Sequence, residues 1–381
     1  MFDQNYILSI SKLQVQAKEG LQGLYNIESR WKELEKKTVS PSFVQGYEWL
    51  ESYLESKGLS PDNLWFFIVS NEIEDVIILP LIYVTDRVYG LPVRIWQIFW
   101  PNDMGINDVL LAKHITTENF FDEFVAYLRC NSKYPFDYIL MKNAADHSGV
   151  TTLIQADRKV NYLRIFDHES KYIEIKDTYD KTTERLSGKY KRNLRRKYKK
   201  LEQSGEVIFT NALDSDLDDA FNDFLKVESS GWKGTSGVGT AIILNPRMLD
   251  FYTKLKDKNA LTGNCFIQLF KVNEVSIAAQ FCLIYKNCIN LLKIGFDENY
   301  SNISPGALIL NETLKYFSGN PNFNKLSFVT GAEWNDAWMP KSENVYSIYI
   351  FNDTIRGFLF FVMYRLKNKI KRKYFNKTNR R

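Results

Sequence analysis

The sequence predicts a mixed α/β (α+β) fold with two similar domains. A chain of 381 residues is too long for one ordinary hydrophobic core. Helical and short apolar strand patterns are interspersed through both halves, which indicates helices packed on sheets. An Asn-Glu turn between two strand patterns occurs at 71–72 and again at 273–274, 202 positions later. This recurrence indicates an internal duplication.

The first half begins with helical patterns and continues with apolar strands. Periodicity predicts helices at 24–37, 46–58 and 117–131. Apolar and β-branched runs predict strands at 63–70, 75–84, 93–100, 136–143, 161–166 and 171–175.

The second half repeats this plan. We expect helices at 189–201, 221–232, 245–258 and 305–317, and strands at 264–270, 276–285, 288–296 and 325–330. The chain therefore divides into a first domain at 1–170, a second at 171–345 and a basic amphipathic tail at 346–381.

Composition excludes several classes of protein. No apolar run reaches the ~18 residues that a membrane span requires, and the first residues lack a signal-peptide pattern. Four cysteines, Cys130, Cys265, Cys282 and Cys288, show neither disulfide-framework density nor CxxC spacing. Three scattered histidines, His114, His147 and His168, form no metal-binding pattern. Free thiols in a reducing cytoplasm are expected, with no metal cofactor.

The net charge of +5 hides a strong asymmetry along the chain. Residues 189–200 hold eight basic residues, and residues 354–381 hold ten with no acid. The rest of the chain then carries 32 basic against 45 acidic residues. Charge concentrated in this way indicates which partners a protein can bind, and says little about its fold.

The basic segment 189–200 also has an apolar stripe, formed by Tyr190, Leu194, Tyr198 and Leu201. It is either a solvated helix packed on the body or a surface for an anion. The anion could be a nucleotide cofactor, a lipid head group or RNA, and the sequence does not rank these three.

The clearest candidate binding element is the stretch "SPGALIL". Ser304 suits a helix N-cap, and Pro305 suits the first turn. Gly306 leaves the backbone bare where the unpaired amides of a helix start point outward. Amides near Gly306 and Ala307 could therefore hold a pyrophosphate. The alternative is a capped helix whose Pro and Gly serve geometry alone.

Two further segments contain candidate site residues. In "VESSGWKGTSGVGTAI" a helix ends at Gly231, Trp232 and Lys233, and a glycine-rich loop follows that could close over a ligand or simply connect elements. In "FVTGAEWNDAWMP" Glu333 lies between aromatic neighbours, where a carboxylate can act as a general base. Asp297 is the other acid near the predicted cradle, and either acid could instead have a surface or capping role.

Neither a Walker lysine motif nor GxGxxG is present, which disfavours nucleotide triphosphatases and dinucleotide enzymes.

Four segments in order resemble the CelD-like GNAT acyltransferases, a family with a BioF2-like acetyltransferase domain. They are "LSGKYKRNLRRKYKKLEQSGEV", "SGWKG", "IGFDENYSNISPGALIL" and "GAEWNDAW". The family is associated with cellulose and other exopolysaccharide biosynthesis and is related to the FemABX aminoacyltransferases. With weaker similarity in the first half, the likeness spans roughly residues 25 to 365.

The resemblance implies two GNAT folds in tandem, the first degenerate and the second holding acetyl-CoA or another acyl-CoA. It implies direct transfer to an amine or hydroxyl, with Glu333 or Asp297 as base and strand amides stabilising the oxyanion. The CoA pyrophosphate would lie at Ser304, Pro305, Gly306 and Ala307, and the acceptor near Trp232 and Lys233. One departure stands out, because Asn335 and Asp336 occupy positions where the family often has a lysine.

Three functions remain open at this point. The first is an acyl-CoA-dependent N- or O-acyltransferase acting on a surface-polysaccharide or envelope precursor, which would be a small-molecule, glycan or lipid-linked acceptor. The second is a FemABX-like aminoacyltransferase that uses aminoacyl-tRNA. The third is a non-catalytic scaffold in polysaccharide synthesis.

The sequence of the tail indicates a possible contact with a membrane surface. Ile355, Leu359, Val362, Leu366 and Ile370 share one helical face flanked by basic residues. Such a helix either packs on the body or lies on anionic lipid. We expect a cytoplasmic protein with weak peripheral association at the inner face of the cytoplasmic membrane.

Overall fold

The fold is known from a computed structural model, which describes residues 6–7, 13–38, 42–58, 60–88, 90–99, 105–113, 117–235, 237–329 and 331–378. For residues 6–7, 214 and 371–378 the backbone alone is described. Sequence predictions that concern the first residues, His114 and the basic residues at 380–381 lie outside the described residues.

In chain order the strands are β1 (Tyr6–Ile7), β2 (Gln14–Glu19), β3 (Leu64–Ser70), β4 (Asp75–Val88), β5 (Leu91–Ile98), β6 (Leu110–Leu111), β7 (Tyr138–Ala145), β8 (Tyr162–Glu174), β9 (Val207–Ala212), β10 (Cys265–Val272), β11 (Val275–Tyr285), β12 (Cys288–Phe296), β13 (Lys325–Ser327) and β14 (Lys341–Phe351). The helices are α1 (Gly20–Tyr25), α2 (Glu28–Lys37), α3 (Tyr47–Glu55), α4 (Phe120–Asn131), α5 (Gly149–Ala156), α6 (Tyr179–Thr182), α7 (Gly188–Glu202), α8 (Leu217–Ser230), α9 (Pro246–Ala260), α10 (Pro305–Phe317) and α11 (Ile355–Thr378).

The chain forms two compact units. The first comprises Met1–Glu51, Ser60–Glu169 and Glu343–Arg381, and the second comprises Ser52–Leu59 and Ser170–Ser342.

The first unit contains a mixed sheet in the order β1-β2-β3-β4-β5-β7-β14, with β6 paired to β4. The β5–β7 pair is parallel and β7–β14 is antiparallel. Aromatic packing fills its core, where the Phe67 ring makes edge contacts with Trp96 at 5.6 Å and with Phe124 at 5.4 Å.

In the second unit β9, β10, β11 and β12 pair in antiparallel order, and β13 joins β12 in parallel. The end of β8 pairs antiparallel with β13. Leu194 and Leu201 of α7 pack with Leu310 and Leu314 of α10 in one hydrophobic cluster. The apolar stripe predicted for the basic helix is thereby confirmed, because Tyr190 and Tyr198 also pack against that cluster.

Some boundaries differ from the sequence prediction. The helix expected at 305–317 is α10 as predicted. The two strands expected at 161–166 and 171–175 form the single strand β8. The residues between the two predicted strands are polar, and Asp167 and Glu169 are exposed, so this part of the strand lacks the apolar alternation that would have joined the two predictions. Strand β14, which begins with the polar residues "KSEN", was not anticipated.

No helix among the described residues combines the length and apolar character needed to cross a bilayer.

Candidate functional site

The site begins where two parallel strands part. The pairing of β12 with β13 covers three residue pairs, from Cys288 with Lys325 to Asn290 with Ser327. Strand β12 continues to Phe296, still paired with β11 on its other side. The β11–β12 register also shifts, since Phe281 pairs with Lys293 and Cys282 with Leu291, which leaves Leu292 as a bulged residue. A bulge bends a strand and re-aims its side chains, so β12 turns away at the point where pairing with β13 ends.

A cavity of about 550 Å³ lies against this free edge. Its volume is within the range usual for small-molecule sites. We call it the β12 cavity, and it is lined by Tyr190, Asn193, Leu194, Lys197, Glu228, Gly231, Trp232, Lys233, Ile294, Gly295, Phe296, Ser301, Ser304, Gly306, Ala307, Trp334, Ala337 and Trp338. Helix α7, the end of α8, strand β12 and the start of α10 therefore converge on one space.

The start of α10 forms one wall of the cavity. Ser304 has left-handed backbone angles (φ 53°, ψ 65°), and its hydroxyl does not cap the helix as the sequence had suggested. Its carbonyl accepts from the Ala307 amide at 3.0 Å, whereas the Gly306 amide has no acceptor among the described residues. A Cβ at Gly306 would meet only the side chains of Ile294 and Phe296, at 3.6 Å. The packing of the chain itself therefore does not require glycine here, and the bare backbone faces space that a ligand can occupy.

Lys197 of α7 reaches the same wall. Its Nζ donates to Ser304 Oγ at 2.5 Å. No carboxylate among the described residues lies within ion-pair distance of this partly buried ammonium. Burial and the neighbouring Arg196 lower the pKa of Lys197. An unpaired cation beside a helix N-terminus favours an anionic ligand.

Glu228 is the one acid among the described residues that line the cavity. It is 2% exposed, accepts from the Ile242 amide at 2.9 Å, and lies 3.3 Å from Lys233 Nζ. Lys233 also donates to the Ile294 carbonyl at 2.9 Å, so it bridges α8 to the free edge of β12. Sequence reasoning missed Glu228, because an acid within an amphipathic helix looks like a surface residue.

Trp232 is held beside this pair. Its amide donates to a Glu298 side-chain oxygen at 2.8 Å, and its ring, 56% exposed, lies at the cavity. The following glycines are needed by close backbone contacts, since a Cβ at Gly234 would lie 2.0 Å from the Ser229 carbonyl oxygen, and one at Gly237 would lie 1.9 Å from the Trp232 oxygen. The loop is thus wrapped tightly behind Trp232.

The two acids suggested by the sequence lie elsewhere. Asp297 starts a 3-10 helix, where its side chain accepts from the Asn299 amide at 3.0 Å. Glu333 is exposed at the start of a second 3-10 helix, Glu333–Trp338. Neither is among the residues lining the β12 cavity, whereas Ser304, Gly306, Ala307, Trp232 and Lys233 are. Pro305 is buried between its lining neighbours.

The segment after Glu333 contributes aromatic walls. Trp334 and the buried Trp338 line the cavity, and the Trp338 ring meets Tyr190 edge-on at 5.5 Å. Burial raises the pKa of Tyr190 to about 12. Asp336 forms an ion pair with Lys171 at 2.6 Å. Asp336, which stands where the resembled family often has a lysine, therefore forms a local ion pair and does not line the cavity.

None of the four cysteines is among the residues that line the β12 cavity. Cys265 and Cys282 are buried free thiols whose pKa values are raised by burial. No group of three or more His, Cys, Asp or Glu side chains suited to a metal ion occurs in the described part of the chain.

Comparison with known proteins gives the fold. Residues 188–337, less than half of the chain, match a family model described as "Acetyltransferase (GNAT) domain". No curated protein sequence matches the chain.

Three solved structures are similar over most of the chain. The crystal structure of FemX superposes with a TM-score of 0.54 and 10% identity, covering 90% of this chain and 98% of that one. A conserved protein of unknown function from Bacteroides thetaiotaomicron gives 0.55 and 10%, covering 85% and 97%. The C-terminal domain of a putative lysylphosphatidylglycerol synthetase from Agrobacterium fabrum gives 0.52 and 10%, covering 88% and 95%. The expected mixed α/β fold is confirmed, and it is a GNAT fold.

Proposed function

We propose that the protein is an acyltransferase that takes its acyl group from acyl-CoA and binds it in the β12 cavity. The observation that carries the proposal is that Lys197 of α7 reaches Ser304 at the start of α10 without a carboxylate partner among the described residues, while the Gly306 amide in that turn has no acceptor there. A diphosphate fits this wall because it supplies the negative charge and acceptor oxygens that both groups lack.

Bound acyl-CoA would supply the acyl group as a thioester. Lys197 and the first turn of α10 would hold the phosphates, and the apolar walls of the cavity would exclude water from the reaction. In a β-strand the N–H and C=O of one residue point to the same side, and the Ile294 carbonyl points to Lys233. The Ile294 amide is therefore a candidate oxyanion donor.

Glu228 is the candidate proton acceptor, since it is the acid that lines the cavity while Asp297 and Glu333 do not. The acceptor's amine or hydroxyl forms the new bond to the acyl carbon, the C–S bond breaks, and the proton passes to the Glu228 carboxylate. Tyr190 lines the same cavity and stays protonated at neutral pH, so its phenol can donate a hydrogen bond to the departing thiolate, and the proton taken up by Glu228 leaves with the thiol. Lys233 would position Glu228 through their ion pair.

For the acceptor we propose a precursor of a surface polysaccharide or of the cell envelope, with acetyl the transferred group and the cytoplasm the site of action. This part is supported by the segments that resemble CelD-like acyltransferases. Trp232, exposed at the cavity, is the candidate contact for the acceptor.

Calorimetry with acetyl-CoA and two substitutions at one position tests the proposal. Gly306→Ala adds a Cβ that meets its neighbours at ordinary contact distance, so we expect fold and binding to be retained. Gly306→Leu fills the wall with a larger side chain, and we expect binding to weaken at least about tenfold, or ~1.4 kcal/mol, with no loss of secondary structure. If the wild type does not bind acetyl-CoA, or if the leucine variant binds equally well, the proposal is wrong.

A second candidate function rests on the outer face of α7. None of its basic residues Lys189, Lys191, Arg192, Arg195, Arg196, Lys199 and Lys200 lies within ion-pair distance of a carboxylate in the described part of the chain. An unneutralised basic helix favours a polyanion, which supports aminoacyl transfer from tRNA. If the protein binds tRNA but not acetyl-CoA, the result would favour this second function. If it binds neither, the non-catalytic scaffold would remain.

A further inference from the structure

Helix α11 presents apolar side chains on two opposite sides. On one side Gly357 and Phe360 are buried, and the Tyr364 hydroxyl lies 3.2 Å from that of Tyr138. A Cβ at Gly357 would lie 2.1 Å from the Asn352 carbonyl oxygen, so the helix is held close to the first unit. This side accounts for the packing of α11.

The opposite side is an exposed apolar stripe that the first unit does not cover. Residues spaced three and four apart fall on one face of a helix. The stripe consists of Ile355, Phe358, Leu359, Val362, Leu366 and Ile370, whose exposed fractions range from 36% to 85%. Contiguous exposed apolar surface of this kind marks an interaction site.

Basic residues border the stripe and follow it. At 100° per residue, Arg365 falls at one edge of the stripe, next to Phe358, and Lys369 falls between Phe358 and Val362. From residue 354 to residue 381 the sequence has ten basic residues and no acid. Lysine and arginine can lay their aliphatic stems along apolar surface while their charges reach an anionic layer.

We propose that this face of α11 docks on an anionic lipid bilayer, with the helix axis parallel to the membrane surface. The apolar stripe enters the boundary between headgroups and acyl chains, and the flanking cations pair with lipid phosphates. The helix lies on the bilayer and does not cross it.

A second copy of this chain is a poorer occupant of the same face. Pairing two α11 stripes would bring the cations of both helices together, and the sequence from 354 onward offers no acid to neutralise them. Lipid phosphates provide that neutralisation along the whole stripe.

Vesicle co-sedimentation of the full chain tests the proposal. We expect binding to vesicles of phosphatidylcholine mixed with phosphatidylglycerol, little binding to phosphatidylcholine alone, and release by added salt. The double variant Leu359→Gln, Leu366→Gln removes the centre of the stripe without touching the packed side, and its affinity should fall roughly tenfold or more.

A matched control removes two equally apolar side chains elsewhere. Ile73 and Leu261 are 91% and 90% exposed, so Ile73→Gln, Leu261→Gln should bind like the wild type. Circular dichroism should show the same helix content in all variants. Equal pelleting of the α11 variant and the wild type would overturn the proposal. The proposal would also be overturned if the wild type were a dimer, the α11 variant were a monomer, and neither bound vesicles. Acetyl-CoA binding is measured separately and does not depend on this outcome.

Discussion

At the scale of single residues, the site depends on a few groups whose partners are incomplete. Lys197 has a hydroxyl partner but no carboxylate, and Gly306 has an amide without an acceptor. Both are oriented by the fold before any ligand arrives, which lowers the entropy lost on binding.

Lys197 should make ligand affinity depend on pH. Its pKa is lowered by burial and by Arg196, so the ammonium loses its charge at a lower pH than an exposed lysine. Since the cation is the form that attracts phosphate, acetyl-CoA affinity should be full near neutrality. It should fall as the pH rises, and this fall should begin at a lower pH than the ordinary lysine pKa of about 10.4 would give.

Lys197→Met should weaken binding near neutrality and flatten this profile, measured by calorimetry at several pH values. Lys199→Gln on the outer face of the same helix should keep the wild-type profile. A profile that survives unchanged in Lys197→Met would assign the titration to another group.

The sequence indicated part of this set. Ser304, Gly306, Trp232 and Lys233 were recognisable because Ser-Pro-Gly and Trp-Lys-Gly interrupt regular patterns. The position of Glu228 at the cavity depends on the close approach of α8 to β12, which is a tertiary contact that no local pattern records.

At the scale of elements, the contact between α8 and β12 positions the acid. A Cβ on Gly295 would lie 2.6 Å from Glu228 Cα and 3.0 Å from its nitrogen, both of them backbone atoms. Glycine at 295 is therefore what allows the helix to approach the strand and bring the carboxylate to the cavity.

Gly295→Ala should destabilise the protein by about 1–3 kcal/mol, because helix and strand must separate. Urea denaturation measures the change. Gly188→Ala is the matched control, since a Cβ there meets no atom within 4 Å and alanine favours the first turn of α7. Equal stability of the Gly295 variant and the wild type would contradict the described packing.

Most long elements were predictable because their apolar periodicity is strong, as in α10 and α4. The early end of β13 and the bulge at Leu292 were not, because register is set by contacts between strands distant in sequence. The opening of the site depends on those two irregularities.

At the scale of the whole molecule, charge is separated along the chain. Two basic segments accompany a remainder with more acidic than basic residues. Such a protein can bind polyanions locally while its acidic surface limits unspecific association.

If tRNA is a partner, replacing Arg192, Arg195 and Lys199 by glutamine should weaken its binding and reduce the salt slope by up to about three. Filter binding over a range of salt concentrations measures both quantities.

The control changes net charge equally at Lys226, Lys254 and Lys315, each of which already pairs with a neighbouring acid. It should leave tRNA binding unchanged. Equal losses in both triple variants would indicate a response to net charge alone, and no binding by the wild type would remove tRNA as a partner.

Where β12 parts from β13, the main chain supplies the polar groups and the side chains set the shape of the cavity. The polar groups along that edge belong to the main chain, and every sequence that keeps the fold supplies them. If the proposed oxyanion donor is right, side chains such as Ile294 and Phe296 can change size to admit a different molecule while that main-chain donor stays in place. A scaffold built in this way can acquire new substrates by single substitutions without rebuilding its chemistry.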